Sequence, residues 1–136
     1  MPINFDIRRR EREGVVILDL KGRLVVGEPS VSLREAINQE VSQSRTNVIL
    51  NLQEVDYIDS TGLGCMVICY TTLQKAGGTL KLLKLNRRNI ELLLLTKLST
   101  IFEVFGDEQD AINSFFPERE IKRFDILSFV QQQKES

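Results

Sequence analysis

The 136-residue sequence contains no histidine. That absence removes the general base of Ser-His-Asp and Cys-His catalysis, and with it the commonest protein ligand of metals. An excess of charge is also missing. With 18 basic and 19 acidic residues the net charge is −1, which leaves no electrostatic footprint for nucleic acid or anionic lipid. No apolar run reaches the roughly 18 residues of a membrane-spanning helix. The opening Met1-Pro2-Ile3-Asn4-Phe5-Asp6 lacks the charged-then-apolar pattern of a secretory signal. Neither membrane insertion nor export is therefore expected. Cysteine is scarce: Cys65 and Cys69 lie four apart in an apolar stretch. Neighbours on one helical turn suit neither a disulfide framework nor a C-x-x-C metal or redox site. They read as small core residues kept as thiols in a reducing, cytoplasmic compartment.

What remains is the composition of an ordinary globular protein, 42% hydrophobic and 27% charged. One domain of this length can bury about two-thirds of its unfolded surface. Ile3, Phe5 and Ile7 alternate with polar residues, which predicts a half-buried strand. The basic run Arg8 to Arg12, interleaved with glutamate and free of aromatics, reads as a solvated strand end closed by a turn at Gly14. Val15 to Leu20 is a second strand, and Lys21 to Gly27 a bend with a short further strand. Glu28-Pro29-Ser30 opens a helix, with capping-box spacing at Ser32 and Glu35 and an apolar stripe of Leu33, Ile37 and Val41. Val48 to Leu52 is apolar enough to be a central strand. A helix follows over Leu63 to Ala76, stopped by Gly77-Gly78. Then come a strand over Thr79 to Leu85, a helix from Asn86 to about Leu98, an edge strand at Phe102 to Phe105, and a short helix opened by Asp107. Beyond Pro117, Ile121, Phe124, Leu127 and Val130 are spaced by three and suggest an extra amphipathic helix, packed on this domain or on a second subunit. Strands alternating with helices make a layered α/β domain.

The stretch that can carry chemistry joins the central strand to the helix after it: Tyr57-Ile58-Asp59-Ser60-Thr61-Gly62-Leu63-Gly64. Ser60 stands at the join and reads as a helix N-cap. Gly62 and Gly64 cost helix stability and in return leave bare backbone around a hydroxyl, a surface suited to cover by another protein. Three enzyme readings fail on the same residues. Val67 stands where a dinucleotide fingerprint needs its third glycine, no G-K-[ST] of a phosphate loop is present, and Ile58 breaks the G-x-S-x-G of a nucleophile elbow.

In its strand-to-helix setting this octapeptide resembles the signature of the STAS domain, in particular that of bacterial anti-sigma factor antagonists. The resemblance covers roughly residues 3–116, including the early Gly22-x-Leu24 segment and the Gly77-Gly78 helix stop. It implies a mixed α/β sheet of four to five strands with helices mostly on one face over residues 1–117, followed by a partly helical C-terminal extension over 118–136. It also implies a non-enzymatic switch. The unphosphorylated form binds an anti-sigma factor serine kinase and frees a sigma factor, and phosphorylation of Ser60 ends that binding. Thr61 is the second candidate acceptor, and Asp59, Ser60, Thr61, Gly62, Leu63 and Gly64 make the partner surface. A PP2C-type phosphatase would reset the switch, no cofactor is needed, and a homodimer stays open. The family often carries an aspartate after its Gly-x-Leu, where this chain has Val25. That departure, together with the long tail, keeps a second reading in play: a non-phosphorylated STAS adaptor of a lipid-transport or signalling assembly.

Overall fold

The computed structural model describes residues 5–121, 124–126 and 129. Its element order is β1 (Phe5–Arg12), β2 (Val15–Leu24), α1 (Glu28–Ser42), β3 (Asn47–Ile58), α2 (Ser60–Lys75), β4 (Thr79–Leu83), α3 (Arg87–Leu95), a 3-10 turn (Leu98–Thr100), β5 (Val104–Phe105) and α4 (Glu108–Asn113). The five strands form one sheet in the order β1-β2-β3-β4-β5. β1 and β2 pair antiparallel, and the remaining pairs are parallel. A two-residue hairpin loop joins the antiparallel pair, with Glu13 and Gly14 both at positive φ, matching the right-handed twist of the strands. The expected mixed sheet is the observed one.

Strand periodicity divides the core between two faces. Val16, Leu18, Leu20, Val48, Leu50, Leu80 and Leu82 point to one side, where α1, α2 and α3 supply Leu33, Ile37, Met66, Cys69, Leu73, Ile90 and Leu93. Ile17, Ile49, Leu83 and Phe105 point to the other side and meet Ala111 and Ile112 of α4 in a smaller cluster. At about 25 cal/mol per Å² of apolar surface, both clusters stabilise the sheet, and the three-helix face dominates. α2 ends on a left-handed Gly77, and the Gly78 N–H donates to Leu73 O at 2.9 Å, which closes the helix. The chain then passes so close to Thr46 that a β-carbon at Gly78 would overlap the Thr46 carbonyl.

Several local expectations are corrected. The segment after Leu20 is not a separate strand: β2 runs on through Leu24, with irregular register at Asp19/Lys21 and Gly22/Arg23. β3 likewise continues to Ile58. α1 starts at Glu28 with Gly27 as its N-cap, so Ser32 lies inside the helix and no capping box forms. The basic run of β1 is clamped rather than merely solvated. Arg9 grips the buried Glu40 of α1 through two hydrogen bonds, at 2.7 and 3.0 Å. On the opposite face, Arg10 bridges Asp19 (2.6 Å) and Glu108 of α4 (2.6 Å). β1 thereby ties a helix to each side of the sheet.

Past α4, Ile121 packs on the smaller cluster, while Phe124, Ile126 and Phe129 pack against the three-helix core. The described part of the extension therefore lies on its own domain. Most of the expected extra helix falls outside the described residues. Within them, the Phe129 N–H donates to Asp125 O at 3.1 Å.

Candidate functional site

β2 and β3 run side by side to the same end of the sheet, where Leu24 pairs with Ile58. The chain then turns into α2 within one residue. That residue is Asp59, extended at φ −90° and ψ −179°, and it is the N-cap of α2. Its carboxylate makes two bonds at once. Oδ1 accepts the Gly62 N–H at 2.7 Å, which closes the first turn of the helix. Oδ2 accepts the Val26 N–H at 3.0 Å, from the loop between β2 and α1. The Asp59 N–H in turn donates to Leu24 O at 3.2 Å. The side chain and backbone of Asp59 thus fasten the head of α2 to the neighbouring crossover.

These bonds also set the charge of the site. The Gly62 N–H above all, with those of Val26 and Thr61 and the positive charge of Arg23, holds the Asp59 carboxyl below its usual carboxylate range against the opposing cost of burial. Asp59 is therefore ionised at neutral pH and occupies the helix N-terminus, where backbone donors and the helix dipole favour an anion.

Ser60 is the first residue of α2, not its cap. It is exposed, and its hydroxyl makes no hydrogen bond among the described residues. Thr61 beside it is exposed as well. The expectation that Ser60 caps the helix is corrected because Asp and Ser are both good caps, and here the Val26 donor, remote in sequence, selects Asp59.

The two glycines separate. Gly62 is buried, and a β-carbon there would overlap the Leu24 carbonyl oxygen. It is a packing glycine that lets α2 approach the end of β2, not a piece of bare surface as expected. Gly64 is exposed, and a β-carbon there would meet nothing within 4 Å. Its missing side chain leaves open backbone one turn from Ser60. Leu63 is buried at 8% exposure and belongs to the core. Of the six residues expected to form a surface, Ser60, Thr61 and Gly64 lie in the open, with Asp59 half-buried behind them.

Val25 is half-buried, and its carbonyl accepts the Ser30 hydroxyl at 2.8 Å, which anchors the first turn of α1. It brings no carboxylate to the site. Val26 (65% exposed), Val31 (52%) and Ile68 (48%) add exposed apolar side chains on the loop, on α1 and on α2. Sequence periodicity gave no reason to single these out, since isolated exposed aliphatics are common. Cys65 and Cys69 are buried free thiols, and the Cys65 Sγ donates to Ser30 O at 3.3 Å. The bond with Cys65 and burial push the Cys69 thiol up, so it stays protonated. A concavity of about 500 Å³ lies elsewhere, on the sheet face opposite the three helices. Its lining includes the bonded set of Arg10, Asp19, Asn51 and Glu108, a structural network that joins β1, β2, β3 and α4.

Comparison with known proteins agrees with the fold. The STAS domain family model matches residues 6–111. An anti-sigma-B factor antagonist of Bacillus subtilis is 30% identical over 112 residues, covering 82% of this chain and 99% of the relative. The crystal structure of an anti-sigma factor antagonist from Thermotoga maritima superposes with a TM-score of 0.72 at 23% identity, covering 79% of this chain and 92% of that one. The Bacillus cell-fate determinant SpoIIAA in its phosphorylated form superposes with a TM-score of 0.64 at 20% identity, covering 81% and 99%. With its five-stranded mixed sheet and the Asp59-Ser60 turn at the head of α2, this chain belongs to the STAS domain family, among relatives that are anti-sigma factor antagonists.

Proposed function

We propose that this protein is an anti-sigma factor antagonist whose binding is switched by phosphorylation of Ser60. The observation that carries the reading is the exposed Ser60 hydroxyl, free of hydrogen bonds among the described residues, on a helix head that Asp59 holds in place. In the unphosphorylated state, the head of α2 and the adjoining loop bind an anti-sigma factor that is itself a serine kinase, and a sigma factor is released. Transfer of phosphate to Ser60 ends the complex, and a PP2C-type phosphatase restores it.

The occupied helix N-terminus decides how the switch works. A phosphate adds about −1.5 to −2 charges. The Gly62 and Val26 N–H groups already hold the Asp59 carboxylate, so the phosphate stands beside a like charge. The fold tolerates this because Ser60 is exposed, whereas a partner packed over it faces added bulk and the desolvation of a dianion. A penalty of about 4 kcal/mol weakens binding roughly 1000-fold. The chain acts as a binding module, and the catalysis belongs to its partner.

The test is to incubate the protein with the kinase-type anti-sigma factor of its own organism and ATP, and to map the phosphate by mass spectrometry. One phosphate is expected, absent from Ser60→Ala, and Ser60→Asp should bind the kinase at least tenfold more weakly. Phosphorylation that persists in Ser60→Ala would move the acceptor, with Thr61 next in line. The adaptor reading draws on Val25, which leaves the site without the family's carboxylate. Co-purification with transporter subunits and no kinase would favour it.

A further inference from the structure

Beside the acceptor stands a cationic stack that the phosphate switch does not itself use. Tyr57, next to last in β3, is paired in register with Arg23 of β2. The Arg23 guanidinium lies 5.0 Å from the centre of the Tyr57 ring. Arg88, in the first turn of α3, lies 5.4 Å from the same ring. Both arginines are exposed. A cation this close to an aromatic face is attracted by the ring's quadrupole, so one tyrosine orders two guanidinium groups.

The charges around the stack do not neutralise it. Neither Arg23 nor Arg88 forms a salt bridge among the described residues, whereas the neighbouring Arg87 is paired with Glu91 at 3.0 Å. Asp59 faces Arg23, but its two oxygens are engaged by the Gly62 and Val26 N–H groups. Asp56 flanks Tyr57 on the other side, and its backbone oxygen is 3.4 Å from the Asn86 amide; its carboxylate pairs with neither arginine. Two oriented forks of N–H donors are thus left facing outward, close to the turn that carries Ser60.

We propose that Arg23, Tyr57 and Arg88 form a docking point for an acidic segment of the anti-sigma factor. The inference rests on the reading of Ser60 given above and adds the chemistry of the partner's contact surface. Three physical arguments favour carboxylates as the occupants. The planar guanidinium fork matches a carboxylate in a bidentate manner. Stacking on Tyr57 restrains both side chains before binding, which lowers the entropy lost when they are immobilised. Arginine and tyrosine are among the residue types most often found at energetic centres of protein interfaces. The arrangement also gives phosphorylation a second effect: a dianion on Ser60 lowers the positive potential that draws the partner in.

The experiment compares wild-type protein with Arg23→Glu, Arg88→Glu, the double reversal, and the double lysine variant. The probe is the kinase-type anti-sigma factor of the same organism. Association rates are measured by surface plasmon resonance at low and high salt, and phosphate transfer is followed in steady state. The double reversal is expected to slow association by about tenfold or more at low salt, with a smaller gap at high salt, since steering of this kind is screened. KM should rise with kcat unchanged, and the lysine variant should recover the association rate. Thermal melts that match wild type confirm that the variants are folded. Reversal variants that associate like wild type at low salt, or a defect equal at all salt concentrations, overturn the acidic docking point while leaving the Ser60 switch standing. Failure of the wild-type protein to bind the kinase overturns both.

Discussion

Replacing Asp59 tests the architecture of the site most directly, because one carboxylate serves two structural tasks. Its Oδ1 closes the first turn of α2, and its Oδ2 holds the β2–α1 loop through Val26. Loss of an N-cap costs about 1 kcal/mol, within a range of roughly 0.5–2. Loss of the second hydrogen bond, whose Val26 donor is exposed to water, costs about 1–1.5 kcal/mol. Asp59→Ala should therefore destabilise the protein by about 2 kcal/mol, a drop of about 6–8 °C in Tm for a domain of this size. Asp59→Asn separates the two tasks. Asparagine caps helices well, but it has one acceptor oxygen, so it can keep the Gly62 bond and must lose the Val26 bond. Its cost should be about 1 kcal/mol. The pH dependence adds a sign. Because the folded-state pKa of Asp59 is depressed, its contribution is complete above the unfolded value of about 3.9 and is lost as pH falls through the folded value. The gap between wild type and Asp59→Ala should narrow on acidification. Urea unfolding at pH 7 and at about pH 3 measures all three quantities. An alanine variant within about 0.5 kcal/mol of wild type, or a gap that stays constant between those pH values, would refute the account of a two-handed carboxylate.

Other substitutions follow from the same geometry. Gly62→Ala should cost about 2–3 kcal/mol in denaturant unfolding, since the added carbon meets the Leu24 backbone. Gly64→Ala meets nothing; it should stabilise the fold by about 0.5–1 kcal/mol and, by covering bare backbone, weaken kinase binding in a pulldown titration. Ser60→Ala should leave stability within about 0.5 kcal/mol of wild type by thermal melt, because the exposed hydroxyl holds nothing in place. The bonds with Arg10 and Arg12 lower the Glu108 carboxyl to about 2. Glu108→Gln should cost about 1–2 kcal/mol at pH 7, after allowance for the partial exposure of the cluster. That penalty should be full above about pH 4.3 and fade as pH falls toward about 2, which a pH series of urea melts would show.

The central elements were legible because their residues repeat at a strand or helix period. Val48 to Leu52 reads as a buried strand, and the Gly77-Gly78 stop and the hairpin at Gly14 carry their own backbone signals. The strand-to-helix octapeptide was also legible, and it puts Ser60 and Thr61 in the open at the head of α2. What could not be read depends on contacts between distant segments. β2 crosses Lys21-Gly22, which locally favours a bend, because β3 beside it supplies hydrogen-bond partners through an irregular register. The cap falls on Asp59 and not on Ser60, and nothing within Asp59-Ser60-Thr61-Gly62 shows that Val26 will arrive as a second donor. Gly62 and Gly64 look alike in the sequence, and only the Leu24 carbonyl tells them apart. The stack of Arg23 and Arg88 on Tyr57 joins three elements, each arginine unremarkable in its own segment.

The outer strands of the sheet offer little to another chain. β1 sends Arg9 and Glu11 to one face and Arg8, Arg10 and Arg12 to the other, several of them locked in ion pairs. β5 is only two residues long. An open edge invites strand addition and, at high concentration, edge-to-edge polymerisation; charged or very short edge strands discourage both. A domain with such edges can reach high concentration with little edge-to-edge pairing. What the domain leaves open to contact is side chains and the exposed head of α2.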